Sequence, residues 1–409
     1  MIDIDKRYRL APARKFRLPR TEGNVGGSED FSGSDLGVLL QYRAPTDHIP
    51  QPPALCFENE WQPEYDASLC EAPLKVGTLN IPVLNEARLL GPGIVVANND
   101  VILAESVGRH AERNGLEIGS DGTGKLSADL KQITGRALAE GSVSQHEGAA
   151  LLLFDPAIWH FGMWILKCLP KLMVLSLLGE SDVRVVVPTN VPDKYLALMQ
   201  ALGIPAGQII FHDPQGVSMF GKLLLPPKMY KFRSSRYGNP FEVFCGDKQH
   251  GHCAYSQLLP PTSESKRIYV TRRGNNRRRL ANEKAVERLF TQFGFQIVEP
   301  STLTAVQTIS LFRDCQFIAG PFGSGLYNIL FSRQAPRALV LTPPVLKFNK
   351  QFLTMSHVCT SKGGNAGYVF GRIQEGSSGQ AGEFDYSWEI DMGRLKAVIA
   401  TLTQDGEQD

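Results

Sequence analysis

Residues 266–279 read KRIYVTRRGNNRRR, seven Lys or Arg and no acid. Guanidinium forks grip phosphate oxygens through paired hydrogen bonds, so Arg272, Arg273 and Arg279 suit a phosphate clamp better than a lysine cluster would. A solvated basic loop and an RNA contact are the competing readings. From Arg272 onward the cations are not interleaved with aromatic rings, the stacking platforms that single-strand binders need. Further on, Gly320-Pro321-Phe322-Gly323-Ser324-Gly325 follows an apolar strand and opens a helical stretch. Glycines there admit a ligand close to the backbone, and the helix start offers unpaired N–H groups to a phosphate. The run is neither a P-loop nor a GxGxxG fingerprint. A tight strand-to-helix turn without a ligand would use the same glycines.

A third group is Trp159-His160-Phe161-Gly162-Met163-Trp164, at the opening of a helix after the run LLLFD. Trp159 and Trp164 suit a sugar face on the acceptor side. His160 is the first candidate base and Asp155 the second, because an imidazole near neutral pKa suits proton abstraction. A buried aromatic helix is the alternative. Cys245, His250, His252 and Cys253 have zinc-ligand types, but their spacing departs from paired C-x(2–4)-C and H-x(3–5)-H. No paired acidic motif stands near the phosphate features, so neither a metal nor another cofactor is expected.

These groups must be held by ordered elements, and the composition allows them. The chain has 409 residues, 43% hydrophobic and 21% charged, with a formal net charge of +2. Two or three domains fit that length, and the near-neutral balance makes any basic site local. Seven cysteines at irregular spacings fit reduced thiols and a cytoplasmic location. The basic first twenty residues lack a signal-peptide core, though they could touch an anionic membrane surface from the cytoplasmic side. The stretch 164–178 is broken by Lys167, Pro170 and Lys171 and is too short to span a bilayer.

Residues 1–70 show no sustained period and read as an irregular extension. Between 149 and 225 apolar strands alternate with helical stretches, including a helix at 191–201 with Asn190 as its cap. A clearer alternation runs from 266 to 342. It includes a helix with Val286, Leu289, Phe290 and Phe293 on one face, and a short helix over 324–332. Residues 226–265 read as a linker or insertion. Both alternations predict α/β blocks built on parallel sheets.

YVTRRGNNRRRLANE, then VEPSTLTAVQTISLFRDCQFIAGPFGSGLYNILF, then FDYSWEIDMGRLKAVI together resemble glycosyltransferase family 61, which includes bacterial capsule-type enzymes. The resemblance covers about 266–400, with weaker echoes at 80–106 and 154–172. It implies a GT-B architecture, two Rossmann-like domains facing across a cleft, and inverting, metal-independent transfer from a nucleotide sugar. The implied boundaries are an extension at 1–70, an acceptor-side domain at 71–255, a donor domain at 256–390, and a C-terminal helix and tail at 391–409. On the donor side the resemblance carries Arg272, Arg273, Arg279, Asn282, Glu283, Gly320, Pro321, Gly323, Gly325 and Asn328, with Phe322 and Ser324 inside the same turn. Three positions depart from the family pattern. Phe322 stands where histidine is usual in the glycine turn, and Met163 stands where histidine is usual in the helix, with Lys167 in place of an acid. The expected partners are a nucleotide-sugar donor and a growing polysaccharide or other glycan. The alternative is a catalytically inactive sugar-nucleotide or glycan-binding subunit that partners another transferase.

Overall fold

A computed structural model describes residues 5–11, 20–22, 35–43, 48–49, 55–56, 73–103, 106, 115–118, 120, 123–154, 159–179, 182–231, 234–236, 266–274, 277–332, 335–343, 354–374 and 386–404. Asp155 and the Cys245 to Cys253 cluster lie outside these residues.

The first part of the chain supplies strands β1 (Arg7–Ala11), β2 (Gly37–Tyr42), β3 (Leu55–Cys56), β4 (Leu79–Leu90), β5 (Ile94–Val96), β6 (Val101–Leu103), β7 (Leu116–Ile118) and β8 (Thr123–Leu126). Helix α1 (Ala128–Ala139) follows, started by the Ser127 hydroxyl, which accepts from the Leu130 amide. Then come β9 (Ser144–Leu152), β10 (Arg184–Pro188), α2 (Asp193–Ala201), β11 (Ile209–His212) and β12 (Val217–Leu224). A mixed sheet of twelve strands results, ordered β7-β8-β1-β6-β5-β4-β12-β9-β10-β11, with β2 also on β4 and the short strand Arg20–Glu22 on β2. Its β12-β9-β10-β11 portion is parallel, and β4 closes on β12 antiparallel.

The stretch expected to be an irregular extension is therefore partly stranded. β1 is inserted between β8 and β6, β2 pairs β4, and β3 joins the far sheet. Short strands that take their partners from distant sequence carry too few residues to show a period of their own. Helix α2 begins at Asp193 with Pro192, not Asn190, at its cap.

The second sheet is built from β13 (Lys266–Val270), α3 (Glu283–Gln292), β14 (Gln296–Val298), α4 (Ala305–Arg313), β15 (Cys315–Pro321), a 3-10 helix at Ser324–Phe331, β16 (Arg337–Thr342), α5 (Thr354–Thr360), β17 (Asn365–Phe370) and α6 (Met392–Gln404). Its order is β14-β13-β15-β16-β17-β3, all parallel. The five strands from β13 onward thus lie as 2-1-3-4-5, a doubly wound arrangement whose chain direction reverses between β13 and β15. Alternate strand residues go to opposite faces. Tyr269, Ala319 and Leu339 pack under α3 and α6, while Val270, Ile318 and Val340 pack under α4, the 3-10 helix and α5. The second face shares one core with the first sheet, including Trp164, Leu198 and Met199. Lys194 adds a polar tie, donating to the carbonyls of Pro300 (2.7 Å) and Leu303 (2.9 Å).

Among the described residues no helix is long and apolar enough to cross a membrane, and no group of three or more His, Cys, Asp or Glu is placed to hold a metal ion.

Candidate functional site

Where a doubly wound sheet reverses direction, the two adjoining strands leave a crevice beyond their carboxyl ends, and ligands bind there. In this chain those ends are Val270 of β13 and Pro321 of β15. The basic run follows the first and the glycine turn follows the second, so the topology brings together two features fifty residues apart.

The basic loop is fixed from beneath by carboxylates. Glu283, buried at the start of α3, accepts from the Arg272 amide at 2.7 Å, and the Thr271 hydroxyl lies 3.2 Å from it and 2.5 Å from Glu287. Burial pushes the Glu283 carboxyl up from its usual range. Arg273 is turned to the same support, its Nε paired with Glu287 at 2.9 Å. Asn282 bonds the backbone of Ile390 in both directions, which ties the loop to the segment before α6. Glu283 and Asn282 therefore position the loop.

Arg272 runs the other way, over the glycine turn. Its Nη1 donates to the Phe322 carbonyl at 3.3 Å, and a Cβ built on Gly323 would collide with that guanidinium. Gly323 has an extended backbone, so the glycine is needed there for room. Gly320 is needed for a different reason. Its φ is +153°, and a side chain would strike the Val270 carbonyl of the neighbouring strand. Phe322 stacks under a cation, with the Arg278 guanidinium 5.6 Å from its ring centre. Arg278 itself holds φ +53°, rare for a side-chain-bearing residue, and its carbonyl accepts from the Trp388 indole at 2.9 Å.

The pocket wall is strongly cationic. Burial lowers the Arg272 pKa to about 10, helped by the neighbouring Arg278 charge, and burial lowers Arg278 as well. Two adjacent guanidiniums are thus held partly out of water, and an anion between them would relieve their mutual repulsion. Tyr386 faces both of them. Burial raises its hydroxyl to about 12 against the pull of the two charges, and that hydroxyl meets no partner among the described residues. The amides of Gly323, Ser324 and Gly325 likewise meet no acceptor among the described residues, and Asn328 closes the turn by donating to the Gly325 carbonyl at 2.8 Å.

The first block completes the crevice at the start of the 161–178 helical stretch. A Cβ on Gly162 would sit 2.9 Å from Ser324 and 3.2 Å from Tyr327, so this backbone lies directly on the glycine turn. The stretch is not one helix. It runs α, then π over Trp164–Cys168, then 3-10 over Leu169–Leu172, then α again. Pro170 gives the reason, since it has no amide to donate and its ring crowds the carbonyl four residues back.

His160 caps this stretch, with Nδ1 accepting from the Met163 amide at 3.3 Å. Burial and then the Arg278 and Arg272 charges lower its pKa, so the ring is neutral at pH 7. With Nδ1 accepting, the ring proton sits on Nε2, and the exposed nitrogen is a hydrogen-bond donor in this state. The imidazole can serve as a base only after releasing the cap.

Trp159 is half-exposed and free to present a ring. Trp164 is fully buried and stacks on Tyr195 with centroids 4.1 Å apart, so it has no face left for a sugar. That corrects its expected acceptor-side place. Arg279 is exposed on a two-residue strand paired with Ser387, and its neighbour Arg278 takes the central position. Nothing in the local sequence distinguishes three successive arginines. What selects Arg278 is the left-handed backbone that Trp388 holds from 110 residues away. Tyr386 is equally hidden, since it reaches the site through tertiary contact, whereas Tyr327 follows the glycine turn directly in the 3-10 helix.

Residues 161–340 match the family model Glycosyltransferase 61, a span that includes the basic loop and the glycine turn. The protein is a glycosyltransferase. Comparison with curated proteins finds no match.

Proposed function

We propose that this glycosyltransferase moves a sugar, with inversion and without a divalent metal, from a nucleotide donor to a polysaccharide or other glycan, working across a GT-B-type cleft between its two sheet blocks. The observation that carries the reading is the placement of Arg272 and Arg278 against the Phe322–Gly325 turn at the point where the second sheet reverses. A nucleoside diphosphate set there meets two guanidiniums, the Tyr386 hydroxyl and the open amides of Gly323 to Gly325. These groups stabilise the charge that develops on the leaving diphosphate, the task a divalent cation performs in other sites. Gly162 and His160 border the same space, so the acceptor approaches from the first block. The His160 Nε2–H donates to a donor phosphate or hydroxyl in the capped state, and proton removal from the acceptor falls to His160 after uncapping or to Asp155.

Calorimetry of a nucleoside diphosphate against the wild type and the Arg272→Ala and Arg278→Ala variants tests the site. Each variant is expected to weaken binding by about 1.5–3 kcal/mol, the scale of a charge-assisted contact. Unchanged affinity in both refutes it. Incubation with a panel of nucleotide sugars, with and without glycan acceptors, tests transfer through acceptor-dependent release of the nucleoside diphosphate.

A further inference from the structure

Away from the crevice, a polar cavity of about 350 Å³ lies between the end of α1 and the turn that joins β11 to β12. Arg136, Glu140, Ser142, Asp213, Gln215 and Ser218 line it. We propose that this cavity is a second saccharide site, which holds a neutral sugar unit at a distance from the arginine and glycine crevice. The proposal extends the glycan-acceptor reading and can fail independently of it.

The back wall is rigid and the exposed rim defines the chemistry. His212 is fully buried, with Nε2 2.7 Å from the Gly91 carbonyl and Nδ1 2.8 Å from the Ser218 hydroxyl. A carbonyl only accepts, so Nε2 carries the proton, and burial keeps the ring neutral. Nδ1 must then accept, and Ser218 gives its one proton to it. Ser218 is itself buried, so this pair closes the back of the cavity with its polar atoms satisfied. The turn in front is preset, because Asp213 Oδ1 accepts from the Gln215 amide at 2.8 Å and the Asp213 carbonyl accepts from the Gly216 amide at 2.9 Å.

A ligand must therefore donate to Glu140 and Asp213 and also accept from Arg136 and the Gln215 amide group. Vicinal hydroxyls do both. An anion would face two carboxylates and one guanidinium, and an apolar ligand would strip water from all three charges without replacing it. The volume is near the lower end for small-molecule sites, which suits one or two sugar units. The His212 ring stacks on Phe154, centroids 6.3 Å apart, and Phe154 ends the strand run that leads to His160.

The test is saturation-transfer NMR on the full chain at millimolar glucose, galactose, mannose, N-acetylglucosamine, xylose and rhamnose, with glucuronate as the anionic comparison. At least one neutral sugar is expected to show transfer, with glucuronate weaker. Ser144→Trp, an exposed cavity residue changed to a side chain that fills the mouth, is expected to abolish the signal. Gln215→Ala, which removes one donor and acceptor at an exposed turn, is expected to weaken it about five-fold. Arg272→Ala is expected to leave it intact. No transfer from any neutral sugar, transfer that survives both cavity variants, or transfer lost with Arg272→Ala overturns the proposal. Nucleoside diphosphate calorimetry on the same proteins reports the crevice separately, so each site succeeds or fails alone.

Discussion

Gly323→Ala offers a sharper test of the donor crevice than removing an arginine, because it displaces a charge without deleting it. A Cβ on Gly323 falls on Arg272 Nη1 and comes within 3.2 Å of the guanidinium carbon. The backbone there is extended, so alanine adds no conformational strain. The atom in the way is the far end of a long side chain, and the relief is for Arg272 to swing out and release the Phe322 carbonyl. Folding should hardly change, with a cost below about 1 kcal/mol and a melting shift of a few degrees at most. Ligand affinity should fall much further. Loss of one charge-assisted contact to phosphate corresponds to about 1.5–3 kcal/mol, or roughly 10- to 150-fold in Kd for a nucleoside diphosphate by calorimetry. If that loss runs through Arg272, adding Gly323→Ala to Arg272→Ala should cost little more, since the two changes remove one interaction. Normal affinity in Gly323→Ala, or a full additive loss in the double variant, would refute the placement of Arg272. Gly320→Ala is the contrasting case. Its Cβ meets the Val270 backbone at a positive φ, and the expected outcome is a loss of soluble folded protein.

His160→Ala should lower acceptor-dependent turnover about 100-fold with nucleoside diphosphate affinity kept within a few-fold if the ring uncaps to act as the base; near-normal turnover restricts His160 to capping and moves attention to Asp155. Turnover and donor binding are expected to persist in EDTA, and activity lost there and restored by Mg²⁺ or Mn²⁺ would show a missed metal site. Stability should depend on pH with a definite sign. His146, His160 and His212 all have pKa values lowered by burial, so just below pH 6.5 the unfolded chain binds more protons than the folded one. Their contribution is complete above the unfolded value of about 6.5 and is lost as pH falls through the folded values. Urea unfolding at pH 5.5 and 7.5 measures their sum against the raised Glu283 carboxyl, which favours the lower pH, and the same pair of measurements on His212→Gln isolates the buried ring: an unchanged pH difference in that variant would contradict its share.

The parts legible in the sequence were those where local pattern and tertiary role coincide. The apolar face of α3 was readable because Val286, Leu289 and Phe290 recur at helical spacing and are buried in the structure. Thr304 and Gln307 form a capping box that starts α4, a signal contained within four residues. The phosphate features were readable as residue types, and the sheet order explains why they meet. The choice among them was not readable. Glu283, Asn282 and Arg273 share one motif with Arg272, yet the first three turn inward to hold the loop and only Arg272 crosses to the glycine turn. Arg278 and Tyr386 become site residues through the fold alone, and Trp164 leaves the site because its ring completes a buried stack with Tyr195. The difference is one of range. Amphipathic spacing and caps are satisfied within about a dozen residues. The direction of an arginine is decided by which partner lies on each side of its loop, and here those partners are 11, 50 and 110 residues away.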